Sequence, residues 1–85
     1  MSVPEIRAGI ASATQQWQSG VAATQQAVQQ LEEGLQRFQQ VTNGSDQPEV
    51  GQTNGQLAQA IQSLGEVQGI VLNAAASAET YSARL

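Results

Sequence analysis

The chain contains no cysteine, no histidine and no lysine. Without thiols or imidazoles there are no disulfide staples, no ordinary zinc site, no cysteine nucleophile and no histidine base. Its only side-chain cations are Arg7, Arg37 and Arg84, set against seven acids, and the net charge is −4 at pH 7. Three scattered arginines cannot make the cluster of cations that a phosphate backbone calls for, so no nucleic-acid partner is expected. No stretch of about 18 apolar residues occurs, which excludes a membrane span. The opening Met1-Ser2-Val3-Pro4-Glu5 lacks the basic segment and apolar run of a secretory signal. It predicts a cytoplasmic chain, or one secreted without a cleaved signal peptide. Aromatics are limited to Trp17, Phe38 and Tyr81.

What fills the 85 residues is glutamine and alanine, 16 and 13 of them, both good helix formers. Through that background runs a helical apolar series: Val3, Ile6, Ile10, Ala13, Trp17, Val21, Thr24, Val28, Leu31, Leu35, Phe38 and Val41. Its steps mostly alternate between three and four, as in a helix that buries one stripe. Two successive fours, Ala13 to Trp17 to Val21, predict a stutter. Ser2-Val3-Pro4-Glu5 reads as a capping box with proline in the first turn.

The series stops at Asn43-Gly44-Ser45-Asp46, where a left-handed residue can end one helix and Ser45 or Asp46 can cap the next. A second series follows: Val50, Leu57, Ile61, Leu64, Val67, Val71, Ala74 or Ala75, Ala78, Tyr81 and Leu85. Thr53-Asn54-Gly55-Gln56 is a competing start signal, so residues 47–55 are expected to be a frayed or irregular first turn. The expectation is an all-α antiparallel two-helix hairpin, with helices at 3–42 and 47–84 and a turn at 43–46. Two such hairpins would pair into a four-helix bundle.

With the turn centred between Gly44 and Ser45, facing residues have numbers summing to about 89 in an antiparallel pair of equal helices. That register sets Gly20 against Gly69 and Gly34 against Gly55, and predicts close helix–helix packing at those four glycines. Towards the free ends Ile70-Val71-Leu72 is apolar over a wide arc. Val67, Ile70, Ala74 and Tyr81 form a second line beside the seam, with Ile6, Ile10 and Trp17 across from them. These seven residues are the expected partner-binding surface, anchored by Trp17, since tryptophan is enriched at interface hot spots. The expected partner is a second copy of the chain or a similar helical hairpin.

No catalytic constellation is found. Glu32 and Glu33 point about 100° apart on a helix and cannot act as a pair. No Glu-x-x-His pair exists for a di-metal centre, no base activates a serine, and no glycine-rich loop joins a strand to a helix. The sequence therefore predicts no enzymatic activity, no cofactor, no metal and no small-molecule substrate. Its expected function is a protein–protein interaction module. The alternatives are a self-assembling filament subunit and a small adaptor or chaperone-like hairpin.

An acidic, cysteine-free helical hairpin of this size resembles the WxG-motif family of type VII secretion, over the whole chain but in architecture and composition only. That family carries Trp-x-Gly in its turn. Here the turn is Asn43-Gly44-Ser45-Asp46, and the tryptophan lies in Trp17-Gln18-Ser19-Gly20 within the first helix. The family's export signal, Tyr-x-x-x-Asp/Glu, has as its counterpart Tyr81-Ser82-Ala83-Arg84-Leu85, which ends in leucine. The resemblance implies hairpin pairing and a link to secretion. The lysine-free, alanine- and arginine-using composition is also similar to that of small hairpin proteins of actinomycetes. More loosely, Asn43-Gly44-Ser45-Asp46-Gln47-Pro48 resembles the proline- and asparagine-rich turn of type III secretion needle subunits.

Overall fold

A computed structural model describes residues 1–85 as two long α-helices, α1 (Val3–Val41) and α2 (Pro48–Ala83), with no strand. They lie side by side as a hairpin 64 Å long and 15 Å across. The expected helix ends hold to within about two residues, the usual scatter of helix boundaries. The radius of gyration is 19.3 Å, against about 12 Å for a compact domain of this length. The fold is a rod, one helix pair thick.

The N-terminus of α1 is built as its capping box predicts, with one change. Ser2 Oγ accepts a hydrogen bond from the Glu5 amide at 3.2 Å. The reciprocal bond comes from the Ser2 hydroxyl itself, which donates to Glu5 Oε1 at 3.2 Å. At the other end the Thr42 amide donates to the Phe38 carbonyl at 3.0 Å, and Gly44 turns the chain at φ +85°, a conformation glycine adopts without penalty.

The start of α2 differs from expectation. Its N-cap is Gln47, with no side-chain cap, while Ser45 Oγ accepts only the Gln47 amide at 3.3 Å. Pro48 is the cause: it occupies the first helical position and holds the preceding residue extended, so the boundary falls one residue beyond Asp46. Nor do residues 47–55 form an irregular turn. The helix runs unbroken from Pro48, and Thr53 and Asn54 both turn inward.

The seam between the helices is a regular heptad stripe. In α2 the inward residues are Val50, Leu57, Leu64, Val71, Ala78 and Leu85 on one line, and Asn54, Ile61, Gln68, Ala75 and Ser82 on the other. In α1 the lines are Ile10, Trp17, Thr24, Leu31 and Phe38, then Thr14, Val21, Val28, Leu35 and Thr42. The expected stutter is absent, because the step after Ile10 is Thr14. That threonine is buried, its hydroxyl satisfied by the Ala11 carbonyl at 3.0 Å, so a polar residue fills the place where Ala13 was expected.

Cohesion between the helices comes from side chains. Of 73 backbone hydrogen bonds, 67 lie within the helices, and the remaining six are caps and turns. One polar link crosses the seam: Arg7 Nε donates to the Ser82 carbonyl at 3.3 Å, which fixes the register the sequence predicts. Packing is thin. Only Thr14, Val21 and Ala75 are buried, and no side chain is fully enclosed.

The glycine pairs do not form close helix contacts. A Cβ built on Gly20, Gly69, Gly34 or Gly55 would meet nothing within 4 Å, and all four are exposed. The physical reason is their phase: each sits one or two heptad places outside the seam lines, so it turns its bare backbone towards solvent rather than the other helix.

One seam residue is under-satisfied. Asn54 Oδ1 is buried without a hydrogen-bond partner, beside the otherwise apolar line Val50, Leu57 and Leu64. Removing an unpaired buried polar group and filling its space with hydrocarbon favours the folded state. Asn54→Leu is expected to raise hairpin stability by about 1–2 kcal/mol, read as a higher denaturant midpoint in circular dichroism.

Candidate partner interface

At 100° per residue, the places immediately beside the seam form two flanks, one on each side of the hairpin. On the first flank α1 presents Ile6, Ala13, Gly20, Ala27, Gly34 and Val41. In the antiparallel pair the same flank of α2 presents Thr53, Ala60, Val67, Ala74 and Tyr81. None of these eleven residues is charged. The opposite flank carries Glu32 from α1 and Glu79 and Leu72 from α2, and the outer face carries Glu5, Glu33 and Glu66.

Open grooves run along the hairpin and confirm this division. One, of about 290 Å³, is bordered by Trp17, Gly20, Val21, Val67 and Val71. A second, of about 220 Å³, lies nearer the turn between Leu31, Gly34, Leu35, Thr53 and Leu57. Both open on the uncharged flank. The third, of about 360 Å³, opens on the opposite side between Arg7, Ile10, Thr14, Glu79 and Ser82.

Six of the seven expected contact residues share the uncharged flank or its edge. Trp17 is 39% exposed, Val67 48%, Ile70 67% and Tyr81 51%. Ala74 is exposed and Ile6 half-buried. Ile10 departs from the set: it is half-buried in the seam and borders the opposite groove. Leu72, which widened the apolar arc in the sequence, is 50% exposed on the far flank, because it follows Val71 by 100°. These apolar side chains are left uncovered together on one side of the rod.

No family model, curated protein or solved structure matches this chain. Its function therefore rests on the geometry of the flank. No group of three or more histidine, cysteine, aspartate or glutamate side chains is placed to hold a metal ion. No helix is long and apolar enough to cross a membrane.

The sequence reading missed what gives the flank its shape. Gly20 and Gly34 border the two grooves, so their missing side chains deepen the channels instead of drawing the hairpin's own helices together. The seven-residue repeat of Thr14, Val21, Val28 and Leu35 in α1 was the available signal, since it places both glycines one step outside the seam.

Proposed function

We propose that this protein is a non-enzymatic protein–protein interaction module, which binds a helical partner along its uncharged flank and completes with it a bundle of four helices. The observation that carries this reading is the exposure of Trp17, Val67, Ile70 and Tyr81 on one side of the rod, with no charge between them. A charge-free stripe costs little to desolvate, whereas burying unpaired carboxylates would oppose docking. The partner is a second copy or a similar hairpin. A link to type VII secretion is part of the proposal and is supported by resemblance in architecture alone.

Trp17 is the sole tryptophan, so its fluorescence reports the flank directly. On association its emission is expected to shift to shorter wavelength. Trp17→Ala is expected to weaken partner binding by about 2 kcal/mol, or roughly thirtyfold, as hot-spot tryptophans do. Changing an exposed glutamine such as Gln26 should leave affinity within about twofold. Equal effects from both changes would overturn the reading.

A further inference from the structure

We propose that the partner is a second copy of this chain, stacked flank to flank with the two-fold axis along the rods, so that α1 of each copy lies against α2 of the other. This rests on the reading of the uncharged flank as a binding surface, and adds which chain occupies it and which way round.

Area argues for a partner of this size. The chain exposes 6198 Å², whereas a globular protein of its mass exposes about 4,800 Å². The flank of a rod 64 Å by 15 Å offers a footprint of about 960 Å² per copy, so two copies clear the size of a standard specific interface.

Charge argues for the second copy and for its orientation. Arg37 and Glu49 stand near the turn at similar heights, on the outer corners of the flank, with the width of the hairpin between them. Within the hairpin the only arginine hydrogen bond is that of Arg7 to the Ser82 carbonyl, so Arg37 and Arg84 are unpaired. Laying α1 over the second copy's α2 sets Arg37 opposite the second copy's Glu49. Symmetry doubles the pair at the rim of the uncharged stripe. Complementary rim charges of this kind fix register and partner choice.

The other two-fold arrangement, with the axis across the rods, stacks α1 on α1 and α2 on α2 with their ends exchanged. It would lay Tyr81 over Glu49 and set Arg37 opposite Gly9. Arg37 and Glu49 of different copies would then lie at opposite ends of the bundle, and neither would meet a partner charge of opposite sign. The axis along the rods instead lays Ala13 of one copy over Ala74 of the other.

Because the protein lacks cysteine, single thiols can read this arrangement. Chains carrying Ala13→Cys are mixed with chains carrying Ala74→Cys, and separately with chains carrying Gly34→Cys, under mild oxidation. A disulfide between the position-13 and position-74 chains is the expected result. A preferred disulfide between positions 13 and 34 would overturn the orientation. Sedimentation of the unmodified chain should show a dimer at about 100 µM. A folded monomer at that concentration would overturn the second copy, while leaving a different hairpin as partner; long polymers would overturn it too. Arg37→Glu and Glu49→Arg should each weaken dimerisation about fivefold, and together restore it to within twofold, as expected for a rim ion pair. Failure of the double change to restore binding would overturn the Arg37–Glu49 pairing.

Discussion

Replacing Val67 and Ile70 together by glutamate is expected to abolish association while leaving the hairpin helical. Both side chains are at least 48% exposed, and neither belongs to the seam lines, so the isolated hairpin loses little packing. In the bundle the same positions are covered, and each buried unpaired carboxylate costs several kcal/mol. Even about 2 kcal/mol at each site lowers affinity by roughly a thousandfold. Sedimentation of the double variant should give a monomer at concentrations where the parent associates, with the circular dichroism of a folded helix pair. An associating double variant would place the partner surface elsewhere on the rod.

Val21→Asp is expected to unfold the chain. Val21 is one of the three buried residues, 7% exposed at the middle of the seam, and no cation lies near enough to pair with a carboxylate there. A chain of this length has a total stability of about 4–13 kcal/mol, and so thin a core argues for the lower end. An unpaired buried carboxylate costs about 3–5 kcal/mol, most of what is available. Ala22→Asp, one residue along and exposed, should cost only the difference in helix propensity, about 0.7 kcal/mol. The comparison is a pair of urea melts followed at the helical band. Equal stability of the two variants would show that the seam described here does not hold the helices together.

Much of the fold was legible because apolar spacing and caps agree. Ser2 with Glu5, the break at Gly44 and the two apolar series all point to the same hairpin, and the flank residues Val67, Ile70 and Tyr81 followed from their phase. Where reading by apolarity failed, polar residues take part in the seam. Thr14 is buried because a helical threonine can return its hydroxyl to the preceding turn, and Asn54 and Gln68 occupy seam lines that a search for large apolar residues skips. The glycines misled for a related cause. Numbers that sum correctly across a hairpin establish height along the rod, but not the direction in which a residue faces. The capping of α2 was displaced by a single residue because Pro48, and not the acid before it, sets where the backbone enters the helix.

The single covalent reversal at Gly44 ties the rods at one end only, and beyond it no ladder of main-chain bonds joins them. Such a molecule breathes like a pair of tweezers, widest at the tips, so amide protons near Ile10 and Ala78 should exchange with solvent sooner than those near Phe38 and Val50. Of the exposed apolar residues, Trp17, Val67 and Ile70 lie midway along the blades and Tyr81 close to their tips. Whatever grips them must first hold the blades shut, and tightness of grip and stiffness of the blades are therefore one thermodynamic quantity seen from two sides.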